Sequence, residues 1–147
     1  MVSLPAVLTV VHLVGVALGL GSATAKLRLL LRCRADPAFV AVFLEVTKPL
    51  TRQIVLGLVM LVVSGIGWII IGYPFTPLLI TKMVLVGAMF VMGPIIDNVV
   101  EPKFKELAPG AGEAPSPEFI RVRGRYLGLE AAATSLFYVI VVMWVIA

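Results

Sequence analysis

The sequence has few charged residues, one cysteine and one histidine. Only 14% of its 147 residues are charged and 61% are apolar, whereas soluble domains have roughly 25% charged and 45–50% apolar residues. The composition therefore argues against a water-soluble domain. Cys33 has no disulfide partner within the chain, and one histidine with scattered carboxylates matches no zinc-site spacing. A phosphate-binding glycine loop and a nucleophile triad are also missing, so soluble-enzyme classes are poor candidates.

Four long apolar runs make up most of the chain, and they cover residues 4–25, 54–73, 77–96 and 127–147. A helix that crosses the hydrocarbon core of a bilayer needs about 20 apolar residues, because each backbone amide must find its partner within the segment. Transmembrane strands alternate apolar and polar residues, whereas these runs are apolar on all faces. They predict a single all-α domain over residues 1–147, an integral membrane four-helix bundle in contact with the lipid bilayer.

The basic residues lie beside these four spans. The net charge is +4, and eleven of the twelve lysines and arginines lie in the two longer connections, after span one and after span three. Basic loops of membrane proteins face the cytoplasm, and this distribution argues against a nucleic-acid-binding domain. We therefore expect a multi-pass protein of the cell inner membrane, with both termini extracytoplasmic and both long loops cytoplasmic. Because the first basic cluster follows span one, that span does not resemble a signal peptide and is expected to be retained.

The two basic connections differ in character. Residues 36–52 have apolar side chains at helical spacing, and Asp36-Pro37 is a typical helix start. This pattern predicts a short cytoplasmic interfacial helix that bends into span two at Pro49. Residues 108–117 are rich in proline and glycine, which predicts a flexible cytoplasmic segment.

Small residues within spans one and two predict where these helices approach each other. Gly15 and Gly19 are four residues apart on span one, and span two offers Gly57, Ser64 and Gly65. Such residues let helix backbones pack closely in a membrane, so we expect them at helix–helix contacts.

Two ionisable residues lie within the spans, His12 in span one and Lys82 in span three. Such groups are costly in a bilayer and usually face the bundle interior or a cavity. Both are expected in the outer half of the membrane, where they could face each other. A neutral imidazole can ligate haem iron or another metal, and a lysine can pair with a haem propionate. The alternative is structural: His12 bonds a backbone carbonyl of a neighbouring helix, and Lys82 extends to the interface.

A second iron ligand would have to be of another type, because the chain has one histidine. Methionine thioethers can bind haem iron or soft metals, although methionine is also common as apolar filler. The methionines within spans two and three are Met60, Met83, Met89 and Met92.

Charged residues near the cytoplasmic ends of the spans predict an inner polar layer. Its expected members are Arg52, Asp97, Glu130 and the arginines of residues 121–125. Within it, an ion pair of Glu130 with Arg52 or Arg125 is the simplest arrangement, and a proton path from Glu130 toward Lys82 and His12 is conceivable. A second group, spaced four residues apart, predicts a charged helical ridge outside the lipid: Asp97, Glu101 and Lys105.

Two stretches carry a family resemblance. The first is His-Leu-Val-Gly-Val-Ala-Leu-Gly from His12, which precedes the basic cluster, and the second is Leu-Ile-Thr-Lys-Met-Val-Leu-Val from Leu79. They resemble small membrane proteins of the HemJ-type protoporphyrinogen oxidase and copper-resistance-D-like group. The resemblance implies a four-helix bundle in which His12 and Lys82 serve as catalytic or cofactor-binding residues at a haem b or porphyrin site, with His12 as the metal ligand.

Three functions are compatible with these features. The first is a haem- or porphyrin-associated membrane redox protein, and the second is a non-catalytic accessory subunit of a larger membrane complex. In either case we expect a homo-oligomer or other membrane subunits as partners. The third is a small transporter, which four spans would form only by oligomerising. The apolar middle of the spans argues against the polar path that a transporter needs.

Overall fold

The computed structural model describes residues 3–110 and 112–146, and the regular structure within these ranges is entirely helical. In chain order the elements are α1 (Leu4–Ala35), α2 (Phe39–Ile70), α3 (Pro77–Ile95), a π-helical turn (Ile96–Val100), α4 (Glu101–Glu106) and α5 (Pro117–Ile146). Helices α1, α2 and α5 and the continuous stretch Pro77–Glu106 are each long and apolar enough to cross a membrane. The prediction of an all-helical, multi-pass bundle of four long helices is therefore confirmed.

The spans begin and end at residues suited to those places. Proline lies in the first turn of both α1 and α3, where its missing N–H costs no hydrogen bond. The Thr76 side chain caps α3 by accepting the N–H of Leu79 at 3.2 Å. Gly72, with φ of 98°, provides the left-handed residue after α2. The connection between α2 and α3 consists of residues 71–76 and is short.

Glycines form the contact between α1 and α2. A Cβ added at Gly57 would overlap the backbone nitrogen of Gly19 and lie 2.7 Å from the carbonyl oxygen of Gly15. The two backbones touch at this crossing, as expected from the small residues. Gly65 is different, because a Cβ there would meet no atom within 4 Å. Its predicted place at a helix contact was therefore wrong, and Gly65 faces open space.

An aromatic core closes the end of the bundle that carries the basic connections, which we call the basic end. Phe104 of α4 packs at ring-centroid distances of 5.0 Å from Phe119, 5.3 Å from Tyr126 and 5.8 Å from Phe43. All four rings are buried. The short α4 is thereby fixed against the first turns of α2 and α5.

The structure does not show a separate interfacial helix at residues 36–52. Asp36 does accept the N–H of Ala38 at 3.0 Å, but α2 then runs from Phe39 through Pro49 to Ile70 without a break. The physical reason is that Val40 and Phe43 are buried against the aromatic core rather than laid on a membrane surface. Residues 39–52 of the predicted segment form the beginning of α2.

Between α4 and α5, residues 107–110 and 112–116 are non-helical and include Gly112 with φ of 83°. The flexibility predicted for residues 108–117 stays a prediction, and Pro117 already belongs to α5. Two residues of the predicted segments, Ala111 and Ala147, lie outside the described residues.

Candidate functional site

A cavity of about 310 Å³ lies between α1, α2, α3 and α5, toward the end of the bundle opposite the basic end. We call it the histidine cavity. Its wall contains both residues singled out from the sequence, His12 and Lys82. The remaining lining residues are Thr9, Leu13, Gly65, Trp68, Ile69, Tyr73, Leu79 and Trp144. Folding therefore brings the two ionisable span residues, about 70 positions apart in sequence, to one cavity.

A hydrogen bond to Ser64 of α2 holds the imidazole of His12. The Nδ1 atom lies 2.9 Å from Ser64 Oγ, and the same Oγ lies 2.7 Å from the carbonyl oxygen of Met60. A hydroxyl group has one proton to donate, and Ser64 gives it to its own helix, as serines within helices often do. We therefore assign the Ser64 proton to its own helix and the His12 proton to Nδ1, a tautomer in which His12 donates to Ser64 and keeps the lone pair on Nε2. The structural alternative expected His12 to bond a backbone carbonyl of a neighbouring helix. Its partner on that helix is instead the side-chain hydroxyl of Ser64.

Aromatic side chains and one cation complete the wall of the histidine cavity. The rings of Trp68 and Tyr73 meet edge to face with centroids 6.3 Å apart, and Trp144 lies on α5. Lys82 is half-buried. The cavity thus combines an oriented imidazole, an ammonium group and flat apolar surfaces.

The methionines considered as second ligands lie elsewhere. None of them is among the described residues that line the histidine cavity. Met89 is buried in an apolar cluster, and Met83 is half-exposed on α3. Within the described part of the chain, three or more His, Cys, Asp or Glu side chains nowhere come together as metal ligands.

A second polar site lies at the basic end, around Lys26. This side chain is only 1% exposed, and its Nζ lies 2.8 Å from Glu130, 3.1 Å from Glu101 and 3.4 Å from Asp97. It also donates to the hydroxyl group of Thr51 at 2.9 Å. We call Lys26, Asp97, Glu101 and Glu130 the lysine cluster. A buried lysine is rare unless it is paired, and here carboxylates from three other segments, the π-helical turn, α4 and α5, pair with it.

The lysine cluster corrects two expectations from the sequence. Glu130 pairs with Lys26 rather than with Arg52 or Arg125. Asp97 and Glu101 do share a face, but that face is turned inward against Lys26 and not outward as a solvated ridge. The π-helical turn carries Asp97 at its second position, so an altered helical geometry supports this contact.

Sequence reasoning missed Lys26 because it is the first of several basic residues after span one, all of which the topology explains. Three acidic residues at the same end of spans three and four were the available signal. Buried carboxylates need a cation, and Lys26 is the basic residue closest to the membrane side of its connection.

An apolar layer separates the two polar sites. It consists of Ala23, Leu58, Met89 and Phe137, one residue from each long helix, and all four are buried. In register these residues fall between the lysine cluster and the histidine cavity on α1, α5 and the stretch Pro77–Glu106, and on α2 Leu58 falls between Thr51 and Gly65. The conceivable proton path from Glu130 to His12 is therefore interrupted by apolar side chains.

Comparisons with known protein families, with curated proteins and with solved structures find no match to this chain.

Proposed function

We propose that this chain is a multi-pass protein of the cell inner membrane that binds haem b or a porphyrin in the histidine cavity. His12 would hold the iron of a haem or accept a proton from a porphyrin, and Lys82 would pair with a propionate group. The observation that carries the proposal is the hydrogen bond from His12 Nδ1 to Ser64 Oγ. Metal-ligating histidines usually donate their other ring N–H to a protein acceptor, which fixes the tautomer and orients the ring.

The residues of the cavity suit part of such a group, and the rest of a whole tetrapyrrole would extend beyond the open side of the cavity. Its volume of about 310 Å³ is at the lower end of ligand pockets. Trp68, Tyr73 and Trp144 offer flat surfaces to a macrocycle, and Lys82 offers a cation to its acidic substituents. When bound, a haem would supply a redox-active iron whose potential depends on its axial ligand and on the polarity around it. A metal-free porphyrin would use the same walls, with the Nε2 lone pair of His12 available for a proton.

The distribution of charge supports the orientation in this proposal. The basic end, with eleven of the twelve lysines and arginines, would face the cytoplasm. The histidine cavity would then lie in the outer half of the bilayer, near the short connection between α2 and α3. The similarity of the stretches from His12 and Leu79 to the HemJ-type and copper-resistance-D-like group supports the same ligand class.

The test is an absorption spectrum of the protein purified in a mild detergent, before and after addition of one equivalent of haem. After subtraction of the spectrum of haem in the detergent alone, we expect the Soret band of bound haem, and an α band on reduction. His12→Ala should lose both bands while still inserting into the membrane. Gly65→Leu should also lose them, because the new side chain fills the cavity and leaves His12 in place.

Gly87→Leu is the matched control for the cavity-filling variant. A Cβ at Gly87 also meets no atom within 4 Å, and Gly87 is not a lining residue of the histidine cavity. It should keep the bands. A wild-type protein whose spectrum with added haem equals that of haem in the detergent alone, and that does not change the fluorescence of added protoporphyrin, would overturn the proposal. Co-purifying proteins would then be sought, as expected of an accessory subunit.

A further inference from the structure

The lysine cluster contains more acidic groups than basic ones. One ammonium group contacts three carboxyl groups, and the oxygens of Glu101 and Glu130 that touch it lie less than about 6 Å apart. Carboxylates at such distances repel each other strongly when water is scarce. If Lys26 and all three carboxyl groups were ionised, the cluster would carry a net charge of −2 around a lysine that is 1% exposed.

The three carboxyl groups differ in their surroundings. Glu101 accepts the hydroxyl of Tyr126 at 2.7 Å and that of Thr47 at 3.3 Å, in addition to the contact with Lys26. Several donors to one carboxylate favour its ionised form. Asp97 and Glu130 have Lys26 as their polar partner among the described residues. Glu101 therefore has the most hydrogen-bond donors of the three carboxyl groups, and Asp97 and Glu130 have the fewest.

Asp97 and Glu130 also share a space that Glu101 does not line. A cavity of about 50 Å³ lies beside them, and its polar wall consists of Lys26, Thr51, Asp97 and Glu130. This volume admits water, which needs a cavity of roughly 10–15 Å³ with polar partners. The Asp97 side chain is 29% exposed, so the pair is in reach of the surface at the basic end.

We propose that Asp97 and Glu130 form a proton-binding site, in which the pair holds one exchangeable proton beside Lys26 at neutral pH. The proton exchanges at the basic end through the Asp97 side chain, which is 29% exposed, and water in the cavity, whose other walls include the apolar layer, can bridge Asp97 and Glu130. The charged and titratable groups that face the pair are Lys26 of α1, Glu101 of α4 and Tyr126 of α5, and α2 contributes the hydroxyl of Thr51. The proposal is independent of the histidine cavity, because the apolar layer separates the two sites.

Infrared spectroscopy tests this site directly, because a protonated carboxyl group has a carbonyl stretch that a carboxylate lacks. The full chain would be measured at neutral pH in a detergent without ester or carboxyl groups. We expect one protonated-carboxyl band that shifts in D₂O. The variants Asp97→Asn and Glu130→Gln, which keep the side-chain shape, should each lose it, since either removes one negative charge and leaves Lys26 with two carboxylates.

Glu118→Gln is the control, because the Glu118 side chain is 59% exposed and lies 4.0 Å from Lys103. This variant should keep the band. Absence of a protonated-carboxyl band in the wild-type protein at neutral pH would overturn the proposal, and this result does not depend on whether any variant folds. A band that persists in both Asp97→Asn and Glu130→Gln, or that does not shift in D₂O, would overturn it as well.

Discussion

The ammonium group of Lys26 contacts three carboxyl groups and a hydroxyl group within the bundle. Removing one partner of a buried ion pair costs far more than the pair itself contributes, because the remaining charges lose their compensation. Lys26 is therefore the residue of the lysine cluster whose loss should destabilise the fold most, because the carboxyl groups of three segments depend on its charge.

Lys26→Met should lower the free energy of unfolding by about 3 kcal/mol, since it leaves three carboxyl groups without their cation. The measurement is unfolding in mixed micelles, by titration with a denaturing detergent. Lys103→Met is the control. Its lysine is 58% exposed and lies 4.0 Å from Glu118, so its loss should cost less than about 1 kcal/mol. Equal stability of the two variants would show that the lysine cluster does not hold the basic end together.

Residues of the two sites were predictable to different degrees. His12 and Lys82 could be found from the sequence, because an ionisable residue in the middle of an apolar run has few explanations. Lys26 could not be separated from the basic residues that follow it, because burial depends on which segments meet at the basic end. The role of Ser64 was also hidden, since a small residue in a span predicts packing as readily as a hydrogen bond.

The helices extend beyond the apolar runs at the basic end. Hydropathy places the end of span one at residue 25, whereas α1 continues to Ala35, and α2 begins at Phe39 rather than near residue 54. An apolar run shows which residues can lie in the hydrocarbon core of the bilayer, but a helix can continue beyond it wherever its side chains pack against another element. Here the partner is the aromatic core around Phe104, and its residues are too far apart in sequence for periodicity to reveal.

The contact between α1 and α2 depends on Gly57. Alanine favours a helix over glycine by up to about 1 kcal/mol, yet its Cβ would collide with the backbone of α1 at Gly15 and Gly19. Backbone atoms cannot move aside as a flexible side chain can. We therefore expect Gly57→Ala to lower the free energy of unfolding by about 1–3 kcal/mol, measured by the same titration.

Gly87→Ala on α3 is the control for Gly57→Ala, because a Cβ added at Gly87 meets no atom within 4 Å. Helix propensity then acts without a clash, so this variant should match the wild type or exceed its stability. If Gly57→Ala were equally stable, α1 and α2 would have to pack differently from the crossing described.

Over the whole molecule, the polar and ionisable side chains within the bundle lie at two depths, and an apolar layer lies between them. The histidine cavity is walled by one cation, one imidazole and aromatic rings, and the lysine cluster lies at the other end of the bundle. The number and type of the spans could be predicted from hydropathy alone, because the bilayer imposes both. The separation into two sites could not, since it depends on the side chain that each helix turns inward at each level.

The orientation of the bundle decides which site faces which compartment, and the chain itself supplies the test. Cys33 is the single cysteine of the sequence, so Cys33→Ser gives a background without thiols. In that background, Phe75→Cys introduces a thiol at an exposed position between α2 and α3, and Glu113→Cys introduces one between α4 and α5. From the positive-inside rule we expect a membrane-impermeant thiol reagent to label the first variant in intact cells, and the second only after the membrane is opened. The reverse labelling would place the lysine cluster at the outer surface and the histidine cavity on the cytoplasmic side, and the protons proposed for Asp97 and Glu130 would then come from outside the cell.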